Sequence, residues 1–393
     1  MKYDLKIFTE NIEPEAVNQI YTLIRSSAFE GQRVRIMPDV HYGTGCVVGF
    51  TATLGDKIIP NVLGVDLGCG MLTAELSKIS VDYAALDAFI RANIPSGSGI
   101  RRDTAAEGLV KKLHCFPHLR DLERLYGSLG TLGGGNHFIE MDEDAEGNKY
   151  LVIHSGSRNL GLQVAKYYMA RAFESCKNCA EDARRQAIAR LKNSPEKIPD
   201  AIDAINAAYA YRSKLPKELC YLDGAEMKHY MHDLTLCMEF ASLNRRRMCE
   251  DIVRFLKVHN YSTFETVHNF IASDGVIRKG AIPAHKGQRV LIPMNMRDGC
   301  LIAVGKGNED WNCSAPHGAG RICKRSEAKE LFTVEEFQRE MLGVYSSSVG
   351  ISTIDESPMA YKPMEEIVSL ISPTVDVVNV IKPVYNFKAG DKN

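Results

Sequence analysis

The glycines constrain this chain more than any other feature. Of thirty-one, nineteen crowd into four islands, residues 43–70, 127–135, 156–161 and 299–320. Glycine weakens helix and strand interiors and is favoured where backbone must turn tightly or approach another group. Each island also carries, or lies beside, histidine, cysteine, aspartate or arginine. The fold must therefore present chemistry-bearing side chains on tight turns drawn from distant stretches. Between the islands, CVVGFTATL (46–54), YLVIHS (150–155) and RVLIPM (289–294) are short, β-branched and apolar, as buried strands are. Helical patterning runs from about Leu162 to Leu191 and from Ala225 to Val258, where Met231, Leu234, Cys237, Met238 and Ala241 recur at three- and four-residue spacing. NSPEKIPDAI, between them, reads as an exposed turn. Further helices are expected near 335–343 and 363–371. With no internal repeat or low-complexity linker, the pattern predicts one mixed α/β domain over 1–393, with a helical insertion at about 162–258.

Composition narrows the function classes. With 48 Lys+Arg against 49 Asp+Glu, the net charge of −1 excludes holding nucleic acid by bulk positive charge, so a polyanion needs a local patch. No apolar run reaches 18 residues, which argues against a membrane helix. The N-terminal MKYDLKIFTENIEPEAV lacks the apolar stretch of a signal peptide. Eleven scattered cysteines, an odd number, read as reduced thiols, and together these point to the cytoplasm.

Five segments could carry chemistry. IMPDVHYGTGCVVGF places Asp39 and His41 before Gly43, Gly45 and Gly49, and a plain β-turn would look the same. GVDLGCGM sets Asp66 and Cys69 three apart on a glycine-framed loop, where carboxylate and thiol can meet on a metal; a lone cysteine is as readily a small buried hydrophobe. GTLGGGNHFIE follows Gly133–Gly135 with Asn136, His137 and Glu140. LVIHSGSRNLG offers His154 at a strand end and Arg158, whose planar fork of donors suits phosphate. VHNF adds His268. The longest segment, GKGNEDWNCSAPHGAGR, is not a Walker loop, because its lysine precedes the glycines. Its centre, His317-Gly318-Ala319-Gly320-Arg321, suits an imidazole attacking phosphorus with a guanidinium beside it. Other signals are discounted. Cys176 and Cys179 lie in a helical pattern, His114 and His118 read as surface, and Arg245-Arg246-Arg247 reads as a solvated face or, alternatively, an RNA path.

In combination, MPDVH, GVDLGCGM, GTLGGGNHFIE, HSGSR, HNF, RKGA and HGAGR occur in the order of the RtcB family of GTP-dependent RNA-splicing ligases, and the chain resembles that family from about residue 36 onward. The resemblance implies the family's own mixed α/β fold, two Mn²⁺ ions and GTP. It also implies RNA with 3′-phosphate or 2′,3′-cyclic-phosphate ends joined to 5′-hydroxyl ends, in RNA repair or tRNA splicing, with an archease-type activator as a candidate partner. Carried over by position, Asp66, Cys69 and His137 match ligands of one metal, and Cys69, His154 and His268 those of the other. His317 matches the guanylylated histidine. Asn136, Phe138, Glu140, Gly318, Ala319, Gly320, Tyr361 and Lys388 match guanylate-pocket positions, and Asp39, Arg158 and Arg321 positions near the reacting ends.

The chain departs from the family pattern at Pro293–Cys300, where two expected serines are Asn295 and Cys300, at Tyr361-Lys362-Pro363, and at Asp391–Asn393 beyond the usual end. Thiolate and imidazole ligands favour Zn²⁺ over Mn²⁺ in raw affinity, so manganese would have to be selected by coordination number and supply. Two alternatives remain at this level: a metal-dependent phosphodiesterase or phosphatase that does not ligate, and a non-catalytic RNA-end binder.

Overall fold

The computed structural model describes residues 3–177, 202–203, 206 and 214–389. Its centre is a seven-stranded antiparallel sheet. In spatial order the strands are Arg289–Asn295, Gly299–Gly305, Val375–Lys388, Phe138–Glu143, Lys149–Ser155, Gly70–Ser77 and Ser262–Val267. A five-stranded sheet lies beside it, ordered Asp4–Ile7, Arg33–His41, Val48–Thr53, Val276–Lys279 and Asn269–Ile271, with only the first pair parallel. The three apolar runs read as strands are strands, and the two short C-terminal helices are Val334–Glu340 and Met364–Ile371. Among the described residues no helix is long and apolar enough to cross a membrane.

The expected helix from Leu162 begins earlier, at Arg158, and is described to Lys177. Its continuation to Leu191, Cys179 and nearly all of NSPEKIPDAI lie outside the described residues. The second helix, Gly224–Phe255, buries Leu234, Cys237, Phe240 and Ala241 in the largest apolar cluster. Its last turns add Met248, Ile252 and Val253 to the cluster beneath the seven-stranded sheet.

Here the reading of Arg245-Arg246-Arg247 as a solvated face is corrected. Only Arg246 is open to solvent. Arg245 is wholly buried, donating to the carbonyls of Gly68 (3.1 Å) and Ser155 (2.9 Å) and pairing with Glu265 at 2.8 Å, while Arg247 pairs with Asp103. A buried guanidinium is tolerated where most of its donors meet acceptors, and of the Arg245 nitrogens only Nε lacks a partner among the described residues. Neighbouring Asn244 accepts from the N–H groups of Gly130 and Thr131 and donates to the carbonyls of Thr131 and Gly156. Thus two consecutive side chains of one helix pin three glycine turns, around residues 68, 130 and 156. Arg245→Ala strands two carbonyls and a carboxylate, so denaturant unfolding should show a loss of about 3–5 kcal/mol. A loss under about 1 kcal/mol would show that the turns hold without it.

Candidate active site

The register of the seven-stranded sheet assembles the first cluster. His154 is paired across to Phe138 on one side and Met71 on the other, and Gly70 is paired to Val267. Consequently Cys69, His137 and His268, each one residue beyond the end of its strand, flank His154 at one end of four adjacent strands. Strand spacing of about 4.8 Å then sets the distances between side chains. Cys69 Sγ lies 3.3 Å from His154 Nε2 and 3.5 Å from His137 Nε2. His154 Nε2 is 3.1 Å from His268 Nε2, and His137 Nε2 is 3.2 Å from Asp66 Oδ2.

Proton placement makes these contacts informative. His137 Nδ1 donates to the Leu132 carbonyl at 2.9 Å and His154 Nδ1 to the Asn136 carbonyl at 3.2 Å. Those bonds leave the Nε2 lone pairs of both rings facing a thiol sulfur, a carboxylate oxygen and a third ring. Burial drives the pKa of His154 and His268 well below the usual imidazole range, so they are neutral, and burial raises the Cys69 thiol. The one thiol proton can serve only one of these neighbours, so the remaining converging lone pairs repel unless a cation sits among them. Sulfur, imidazole nitrogen and carboxylate oxygen are the donors a transition metal takes.

The second element is His317. It follows the strand Ser314–Pro316, and its backbone N–H (3.1 Å) and Nδ1 (2.7 Å) both meet Oδ2 of fully buried Asp39. Asp39 is aimed by an irregularity in its strand, where pairing with Val48–Thr53 lapses between Ile36 and His41. The close fit requires Gly320, which has φ +77° and whose Cβ, were there one, would lie 2.5 Å from the Asp39 carbonyl oxygen. With Nδ1–H held by Asp39, Nε2 of His317 is the free nitrogen. The ring lies 4.8 Å, centroid to centroid, from that of His268. His41, two residues past Asp39, is depressed to about 4 by burial and is neutral too.

Two cavities meet at His317. Asn136, Phe138, Glu140, Asn295, Gly318, Ala319, Gly320, Arg321, Tyr361 and Lys388, all expected from the sequence, line the first. Its far wall is an ionic network around buried Glu356. Lys388 Nζ is 2.7 Å and Tyr361 OH 2.9 Å from Glu356 Oε2, while Arg325 and Arg321 approach Oε1 at 2.5 and 3.5 Å. Asp66, Lys279, Arg321, Lys324 and Arg325 line the second, which is cationic on balance.

Some expected residues sit elsewhere. Arg158 stands behind His137, with Nη1 3.3 Å from its Nδ1 and Nη2 donating to the Gly97 carbonyl, and lines neither cavity. The chain makes room for it at Gly133, where a Cβ would lie 1.8 Å from that guanidinium. Cys300 lies under Glu140, its Sγ 3.9 Å from Oε1, and does not face the cavity. Asn295 does line it, but its oxygen caps the backbone N–H groups of Arg297 and Asp298 and its amide donates to Asp298, so its polar atoms serve the turn. Nothing in the sequence reading marks Glu356, Arg325, Asn386 or Asp142. Glu356 sits in a run without periodicity, and only its three cationic neighbours reveal it.

The chain's relatives fall in one family. A sequence model described as tRNA-splicing ligase RtcB matches residues 22–115 and 115–389. RNA-splicing ligase RtcB of Escherichia coli (strain K12) is 30% identical, over 97% of this chain and 96% of its own. RNA-splicing ligase RtcB2 of a second E. coli strain is 26% identical over 96% and 93%. The tRNA-splicing ligase RtcB of Aeropyrum pernix is 27% identical over 84% and 82%. An imidazole oriented by a carboxylate, beside a cluster built for cations, is suited to moving phosphoryl groups. This chain belongs to the RtcB family.

The Glu356 network has a pH signature. Burial alone would raise this carboxyl, but Lys388, Arg325 and Arg321 outweigh it and bring the pKa from 4.5 to about 2. A depressed carboxylate contributes stability that is complete above its unfolded pKa and is lost as pH falls through the folded one. The stability difference between wild type and Glu356→Gln should therefore be largest near neutral pH and shrink from about pH 4.5 to about pH 2. A difference constant across that window would contradict the pairing.

Proposed function

We propose that the protein is a GTP- and divalent-metal-dependent RNA ligase that joins 3′-phosphate or 2′,3′-cyclic-phosphate ends to 5′-hydroxyl ends. The observation that carries this reading is the free Nε2 of His317, held by Asp39 at the junction of two cavities and beside the ring of His268. Nucleophilic side chains serve hydrolases too, but one that stands between two cavities suits a ligase that passes a nucleotide from one substrate to another.

In the first cavity a guanine nucleotide would lie with its base toward Glu140 and its sugar and phosphates toward Lys388, Arg321 and the Gly318–Gly320 backbone. Nε2 of His317 attacks the α-phosphorus, pyrophosphate leaves, and Asp39 stabilises the positive charge that develops on the ring. The guanylate then passes to the RNA 3′-phosphate in the second cavity, where Lys279, Arg321, Lys324 and Arg325 offset the polyanion's charge. The 5′-hydroxyl oxygen then attacks the activated 3′-phosphorus, and GMP departs. Asp66, Cys69 and His137 would hold one ion and Cys69, His154 and His268 a second. Bound there, the ions, manganese by the family's example, would neutralise phosphate charge and lower the pKa of an attacking hydroxyl or water. The local cationic wall in an otherwise neutral chain predicts modest salt sensitivity of RNA binding. Action in the cytoplasm and activation by an archease-type protein belong to the same reading.

Incubation with α-labelled GTP and manganese should leave an acid-labile label on wild-type protein and none on His317→Ala, with metal content unchanged in that variant. Cys69→Ala should lose most of both ions in metal analysis and at least about a hundredfold in ligation of cyclic-phosphate and 5′-hydroxyl oligonucleotides. Label on His317→Ala, or full ligation by Cys69→Ala, would overturn the assignment.

A further inference from the structure

Beneath the first cavity lies a group that the proposed chemistry leaves unused. Asp142 is wholly buried, and among the described residues no N–H or O–H donor reaches either of its oxygens. It lies two residues beyond Glu140 on the same strand, so both carboxyls project from one face of the sheet. The neighbouring strands pair Asp142 with Pro383 and Tyr150, and Glu140 with Asn386 and Val152. Tyr150 directs its hydroxyl to Asp144 instead. The carboxyls of Glu140 and Asp142 and the Cys300 sulfur lie within 4.8 Å of one another. The groups facing the pair are therefore the Cys300 thiol, the Asn386 amide, which donates to Glu140 Oε2 at 2.5 Å, and the Lys388 ammonium, whose charge acts on Glu140.

Two carboxylates this close, away from water, cannot both be ionised. Glu140 has the Asn386 donor, the nearby lysine and a face on the cavity, while Asp142 has none of these. The proton therefore belongs on Asp142, which can donate it to Glu140. Burial, foremost, and the neighbouring Glu140 push Asp142 well above the usual carboxylate range.

Resting on the reading of the first cavity as a nucleotide site, we propose that Asp142 is the positioning residue that sets its purine preference: as a neutral carboxyl hydrogen-bonded to Glu140, it keeps Glu140 an acceptor-only carboxylate under the base. Guanine presents two donors on its pairing edge, N1–H and the 2-amino group, which such a carboxylate accepts. Adenine presents a lone pair at N1, which that carboxylate repels and a protonated Glu140 would welcome. Cys300 supports the arrangement from below as a thiol, with burial raising its pKa well above the ordinary value.

The test compares labelling by α-labelled GTP and ATP, with manganese present, in wild type, Asp142→Asn and Asp142→Leu, alongside infrared spectra of the full-length proteins. Asparagine can still donate to Glu140. Leucine cannot, which leaves Glu140 more easily protonated. The GTP-to-ATP labelling ratio should fall at least about tenfold in Asp142→Leu and be rescued in Asp142→Asn. The carbonyl stretch of a neutral carboxylic acid, present in wild type near neutral pH, should be lost in Asp142→Asn, whereas in Asp142→Leu it should persist at a shifted frequency, now from Glu140. The proposal is overturned by an unchanged ratio in the leucine variant, by an asparagine variant as impaired as leucine, or by loss of a bound metal ion from Asp142→Asn, which would mean that Asp142 is an ionised ligand. Wild-type protein that takes label from neither nucleotide would instead defeat the nucleotide-site reading itself.

Discussion

The site depends on the convergence of nitrogen and sulfur lone pairs at one end of a sheet. Antiparallel register alone brings Cys69, His137, His154 and His268 there, since each stands at or just past the end of one of four adjacent strands. Such an arrangement is costly without a cation, because a single thiol proton cannot satisfy three buried imidazole lone pairs and a carboxylate at once. The fold resists their drifting apart through Asn244 and Arg245, which tie the turns bearing Cys69 and following His154 to a long helix. A segment that reads from the sequence as a helical insertion thus includes the brace of the site.

A second constraint shapes the nucleophile. An imidazole can attack only through a nitrogen that carries a lone pair, and the bond from His317 Nδ1 to Asp39 decides which nitrogen that is. Asp39 comes from the five-stranded sheet, while His154 and the strand ends flanking it belong to the seven-stranded one. The chemistry is therefore assembled between two sheets. It depends on how they pack and on glycines such as Gly320 that allow backbone to pass close by.

Much of this was legible in the residues. Glycine islands beside histidine, cysteine and aspartate marked the turns, and the short β-branched runs marked the strands between them. Order and spacing of the motifs pointed to the RtcB family before any geometry. The charge pattern was less informative. Arg245-Arg246-Arg247 looks like a solvated run because three adjacent helical residues face different directions, and only packing shows which of them is interior. Glu356 and Asp142 are invisible for a related reason: what makes them unusual is how they are surrounded, by cations in one case and by another carboxyl in the other. Cys300 looks like a direct replacement at a nucleotide contact, yet strand register puts it one layer below, behind Glu140.

The most direct measurement is anomalous diffraction from crystals of the manganese-loaded protein. Two peaks straddling Cys69 Sγ, one toward Asp66 and His137 and one toward His154 and His268, are expected, with His317 Nε2 facing the second. A single ion bound without Cys69, or ions held away from His317, would contradict the account.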